Sequence, residues 1–146
     1  RKALTEADGD YQKAVDWLRE KGMATAAKRA DRDASQGIVE LYSHGGGRVG
    51  VMVEVNCESD FVARTDEFKA LAHNLAMQIA AMPPQFISNE TVPEGADTSA
   101  ENACFLTQPF IKDLTRTVQD IINETIARVG ENIKVSRFAR FELGEQ

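Results

Sequence analysis

At 146 residues, with 42% hydrophobic side chains and a formal net charge of −6, the chain has room for one moderate core, or for a small helical unit beside a compact domain. The charge is uneven, net +1 over residues 1–36 and net −7 over 37–146, which argues against a nucleic-acid surface, since that needs clustered Lys and Arg. No apolar run reaches the ~20 residues of a membrane span, and the cysteines (Cys57, Cys104) and histidines (His44, His73) stand at no metal-ligand, Cys-x-x-Cys or Cys–His spacing.

Residues 1 to about 34 read as helical. Leu4 and Ala7 look like the end of one helix, broken by the Asp8-Gly9 turn. Asp10 is placed to cap the next, whose apolar face is Tyr11, Ala14, Val15, Trp17 and Leu18, and Gly22 is expected to stop it. An Ala-rich helical connector follows. Gly37 opens a region of different pattern. Residues 38–43 read as a strand with Val39 and Leu41 on one face, and His44-Gly45-Gly46-Gly47 as a tight reversal. Residues 48–56 form its partner, with Val49, Val51, Val53 and Val55 sharing a face by strict alternation.

An acidic turn, Glu58-Ser59-Asp60, then carries Phe61. A helix is expected from near Thr65, with Phe68, Leu71, Ala72, Leu75, Ala76, Ile79 and Met82 as a buried stripe, ended by Pro83-Pro84. Residues 88–103 are polar and read as a loop. A second helix is expected from about Thr115, with Val118, Ile121, Ile122, Ile126 and Val129 on one face and Gly130 at its end. The last strand, 132–143, places Ile133, Val135, Ala139, Phe141 and Leu143 on one face, with Arg137 the exception. The expected class is α+β: a three-stranded antiparallel sheet packed against helices, spanning 37–146, after a partial helical unit (1–22) and a helical linker (23–36).

No nucleophile, base and oxyanion group assemble in this pattern, so the expectation is a binding protein without enzymatic activity and without a cofactor. The Asp60-Phe61 pair admits two readings. The ring either tucks into its own core or protrudes as a knob for another protein.

The stretch Glu54-Val-Asn-Cys-Glu-Ser-Asp-Phe-Val-Ala-Arg64 resembles the signature of the elongation factor Ts family, usually written with Thr where Ser59 stands. Three further blocks agree in order. The first runs from Gly9-Asp10 to Lys21-Gly22 and is similar to the family's ubiquitin-associated-like bundle. The second is Tyr42-Ser-His44 with Arg48-Val-Gly-Val. The third combines Gln108-Pro-Phe-Ile-Lys112, Gly130-Glu-Asn-Ile133 and Arg137-Phe-Ala-Arg-Phe141.

The resemblance implies a guanine-nucleotide exchange factor for the GTPase elongation factor Tu. Asp60 and Phe61 would be wedged near the partner's magnesium site, and His44, Val129 and Gly130 would meet the same partner. With the charge balance and the absence of a long apolar run, no nucleic-acid or membrane partner is expected, and the place expected is the bacterial cytosol or an organelle matrix. The family's opening helix has no counterpart before Arg1, so an incomplete bundle is expected; Ala3, Trp17 and Leu18 read as its core. The segment between Ile87 and Phe105 is short beside the family's helical insertion. With a single core, a homodimer is a further expectation. The alternative is an interaction module that binds the GTPase, a chaperone or the ribosome without driving exchange.

Overall fold

A computed structural model describes residues 11–88, 90, 92–96 and 103–145. The expectations for Ala3, Leu4, Ala7, the Asp8-Gly9 turn and the Asp10 cap lie outside these residues, as does much of the polar 88–103 segment.

Helix α1 (Tyr11–Arg29) leads into strand β1 (Gln36–His44), which turns back as β2 (Val49–Cys57). A one-turn helix α2 (Asp60–Ala63) and the long α3 (Asp66–Ala81) follow. After a 3-10 turn at Phe105–Thr107 come the short strands β3 (Pro109–Phe110) and β4 (Asp113–Thr117), helix α4 (Val118–Val129) and strand β5 (Ile133–Glu142). The main sheet is antiparallel in the order β1-β2-β5, with β2 at its centre. The expected α+β class is the observed one.

The valine alternation in β2 sets the core. Val51, Val53 and Val55 are buried against α3 and α4, where they meet Phe68, Leu71, Leu75, Ile79, Ile122 and Ile126. Each such side chain contributes roughly 1.5–3 kcal/mol by leaving water. Helix α3 starts where expected, since the Thr65 hydroxyl accepts the Phe68 N–H. Two fully buried amides tie the β3–β4 hairpin to it. Gln78 donates to the Gln108 side chain (2.9 Å) and the Pro109 carbonyl (3.0 Å), and Gln108 donates to the Met82 carbonyl (2.9 Å). Buried amides satisfied in this way fix one arrangement of the hairpin.

Four local expectations are corrected. Gly22 does not stop α1; the helix runs through it to Arg29. Glycine costs a helix only about 1 kcal/mol relative to Ala, and this one is buried against α4, where an added Cβ would lie 3.4 Å from the Asn123 carbonyl carbon. Leu18, expected in a bundle core, is exposed, and Trp17 is half-buried with the Lys21 ammonium 5.1 Å from its ring centre.

The second helix starts at Val118, three residues later than expected, because 113–117 pairs with β3 as strand β4. Thr117 and Asp120 then close a reciprocal capping box.

The fourth correction concerns β5. Glu54 lies opposite Arg137 and Val55 opposite Val135, which leaves Ser136 as an extra, unpaired residue in a bulge. One extra residue reverses the facing of everything beyond it. Ile133 and Val135 therefore face the helices, but after the bulge it is Phe138 that packs inward, its ring centre 6.4 Å from that of Phe105. Phe141, expected to share a face with Ile133, is 77% exposed, and Leu143 is exposed as well. The outward sheet face consequently carries Val39, Leu41, Met52, Ala139 and Phe141.

Candidate functional site

The site grows from the end of β2. Cys57 closes the strand fully buried, and its thiol donates to the Ser59 carbonyl at 3.1 Å. Burial, reinforced by the nearby Glu131 carboxylate, pushes the Cys57 thiol up to about 11 from its ordinary 9.0, so it is a neutral donor at physiological pH.

The chain then turns into α2. Ser59 caps this single turn by accepting the Val62 N–H at 3.2 Å. Val62 and Ala63 point into the core and anchor the turn. Successive helical residues point about 100° apart, so with Val62 and Ala63 inward Asp60 and Phe61 are left outside. Phe61 is 72% exposed. The Asp60 carboxylate, also exposed, meets only Arg64 at 3.3 Å among the described residues. Of the two readings of Phe61, the ring tucked into its own core is overturned.

A second segment locks this turn from behind. Helix α4 ends at Gly130, whose φ of +76° suits glycine and whose N–H bonds the Ile126 carbonyl at 2.8 Å. The next residue, Glu131, reaches across. One of its carboxylate oxygens accepts the backbone N–H groups of Glu58 (3.1 Å) and Ser59 (3.0 Å), and the other accepts the Ser59 hydroxyl (2.7 Å). The exchange is mutual, because the Glu58 carboxylate accepts the Asn132 N–H at 2.5 Å. The end of α1 joins in. Arg29 donates to the Gly130 carbonyl (2.9 Å), Asn132 donates to the Arg32 carbonyl (2.9 Å), and Arg32 lies 3.7 Å from the Glu58 carboxylate.

The structure thus brings four of the five predicted residues together, with Asp60 and Phe61 on one side of the lock and Val129 and Gly130 on the other. Val129 is partly buried against the core, so it offers only part of its side chain. His44 stands apart, exposed at the hairpin end of β1, with its Nδ1 2.9 Å from the Tyr42 hydroxyl. Because β1 pairs from Gln36 opposite Cys57 to His44 opposite Val49, a whole strand separates it from the turn, roughly 25 Å at ~3.3 Å per residue.

Sequence reasoning missed Glu131, Glu58 and Asn132. A carboxylate directly after a helix-ending glycine was the available signal, but nothing in the spacing pairs it with a turn over seventy positions away. Among the described residues no group of three or more His, Cys, Asp or Glu is arranged to hold a metal ion, and no helix is long and apolar enough to cross a membrane.

Comparison with known proteins adds to this geometry. The sequence model of the family described as Elongation factor TS matches residues 6–98. The chain is 49% identical to "Elongation factor Ts" of Moorella thermoacetica, over 99% of this chain and 86% of that protein. It is 47% identical to the protein of that name from Carboxydothermus hydrogenoformans and 49% identical to the one from Heliobacterium modesticaldum, in both cases over 99% of this chain and 81% of the relative. Each alignment spans 175 positions, more than the 146 residues here, so these relatives carry positions with no counterpart in this chain.

Proposed function

The chain belongs to the elongation factor Ts family, and from that premise we propose that it binds elongation factor Tu and speeds the release of GDP by inserting the Asp60-Phe61 turn beside the partner's magnesium site. The observation that carries this reading is the exposure of Phe61: a large ring held outside on a short helix whose Val62 and Ala63 are buried and whose cap is locked.

The physical mechanism is linkage. A GTPase grips its nucleotide through magnesium and backbone donors around the phosphates. A partner that binds the distorted, magnesium-poor state more tightly weakens nucleotide binding by the same factor. A buried aromatic anchor supplies about 2 kcal/mol or more of binding, and every ~1.4 kcal/mol of coupling is tenfold in affinity. On this chain Phe61 supplies the apolar area and Asp60 the charge, while Val129 and Gly130 extend the same contact. His44 touches the partner a strand's length away. The factor makes and breaks no covalent bond, since the GTPase site belongs to its partner.

The reading assigns residues 37–146 to the core and the preceding residues, through which α1 runs unbroken to Arg29, to a helical unit that adds contact area, and it places the protein where translation occurs. It also includes pairing of two copies through the outward sheet face. Leu41 is 67% exposed there, beside Val39, Met52 and Phe141, with the Arg137–Glu54 ion pair on the same face. A purely monomeric species in sedimentation at tens of micromolar would remove that part.

GDP release from bacterial elongation factor Tu, followed with and without the chain, tests the main claim. Acceleration that saturates with added protein is expected. Tight binding without faster release would favour the interaction-module alternative.

A further inference from the structure

We propose that Glu131 is the positioning residue of the exchange site: its carboxylate holds the Glu58-Ser59 backbone so that Phe61 is presented in one fixed direction. The inference rests on the exchange reading above and adds to it a residue that touches no partner atom.

Three hydrogen bonds carry the argument. Glu58 and Ser59 are the last residues before α2, and both of their backbone N–H groups end on one Glu131 oxygen. The Ser59 hydroxyl that caps α2 is itself oriented by donating to the other oxygen. A four-residue helix makes almost no internal hydrogen bonds of its own, so its direction depends on its cap and its two buried residues. Hydrogen bonds to an ionised carboxylate are roughly twice as strong as neutral ones. Glu131 is in turn fixed from both sides, because its neighbours Gly130 and Asn132 are tied to Arg29, Arg32 and Glu58. Pre-organising the turn lowers the entropy lost when Phe61 docks. A threonine at position 59, as in the family signature, would keep the hydroxyl that this arrangement uses.

The test compares the wild-type chain with Glu131→Ala, Glu131→Gln, Phe61→Ala and the Glu131→Ala/Phe61→Ala double variant. For each, the maximal stimulated GDP-release rate and the half-saturating concentration are measured, and folding is checked by circular dichroism. Glu131→Ala is expected to lower the maximal rate roughly tenfold, the size set by losing charge-assisted hydrogen bonds. Glu131→Gln, which keeps an acceptor for the two N–H groups, should return it to within about threefold of wild type. In the Phe61→Ala background the alanine change should cost less than about twofold, since a turn without its ring has nothing left to aim.

A Glu131→Ala protein at the wild-type maximal rate would overturn the proposal. So would a second full tenfold loss in the Phe61→Ala background, or a folded glutamine variant no better than alanine. Should the wild-type chain not accelerate release, the exchange reading falls and amide hydrogen exchange on the free protein decides the role of Glu131. Glu58 and Ser59 N–H protection that drops at least about tenfold in Glu131→Ala, with β2 unchanged, supports the lock; unchanged protection rejects it.

Discussion

Phe61 and Phe68 stand seven residues apart and meet opposite fates. Phe68, in the first turn of α3, is fully buried among the valines of β2, whereas Phe61, on the single turn of α2, is 72% exposed. Hydrophobicity is identical at the two positions, so the difference comes from how each turn is anchored. In α3 the ring itself is the anchor. In α2 the small Val62 and Ala63 anchor the turn, and the ring is free for something else. The free chain gains little from Phe61, which is the area the proposed contact with a partner would use.

The largest expected effect breaks the buried half of this comparison. Phe68→Ala should cost about 3–5 kcal/mol of stability in urea unfolding, while stimulated release per folded molecule stays within about twofold of wild type. A loss of activity without a loss of stability would mean that the two rings have been assigned the wrong way round.

The same contrast recurs across the sheet, sharpened by the bulge at Ser136. Phe138→Ala, which removes an inward ring, should cost roughly 2–3 kcal/mol, less than a fully buried Phe because it is only half-buried. Phe141→Ala, on the outward face, should change monomer stability by less than about 0.5 kcal/mol. Equal costs would show that the register reversal is wrong.

Beneath the exposed turn, Cys57 supplies a pH test. Its thiol is raised to about 11 in the folded chain against 9.0 for an ordinary cysteine, so the folded state holds its proton longer than the unfolded state. The stability this provides is whole below pH 9 and is lost as pH rises from 9 towards 11. Cys57→Ser should flatten that part of the stability curve. Native protein at pH 8 should also resist alkylation at Cys57 until it unfolds.

The smallest effect lies at Gly22. Gly22→Ala should be neutral or stabilising by up to about 1 kcal/mol, as helix propensity gains against a contact at ordinary van der Waals distance. Gly22→Leu should instead loosen α1 from α4, seen as lower thermal stability and faster amide exchange near Arg29.

The division between what could and could not be read from sequence follows physical range. The alternating valines of β2 and the three- and four-residue stripe of α3 are local patterns, and each defined its element and its buried face, except that Met82 is a half-buried cap residue beyond the end of α3. Thr65 and Gly130 marked helix ends by short-range chemistry. The bulge at Ser136 depends on pairing with Glu54 and Val55 some eighty residues away, and without it β5 reads as one unbroken alternation. Gly22 looked like a stop because its reason for lying within the helix, close approach to α4, is tertiary. Residues 113–117 could have opened a helix, and only pairing with Pro109 and Phe110 makes them a strand. At the site, Asp60 and Phe61 were legible as a pair, but whether the ring faced in or out rested on Val62 and Ala63. Glu131 offered only its place after a helix-ending glycine as a signal, because two of its three bonds go to backbone N–H groups and its one side-chain partner, Ser59, lies 72 positions away.

One measurement bears most directly on the central claim: GDP release from elongation factor Tu at saturating Phe61→Ala, paired with the thermal melting of that variant. Removing a hot-spot aromatic is expected to lower the maximal stimulated rate about thirtyfold or more, with a melting temperature within a degree or two of wild type because the ring is exposed in the free chain. A variant that melts well below wild type yet stimulates release as fast per folded molecule would contradict the account and return Phe61 to the core.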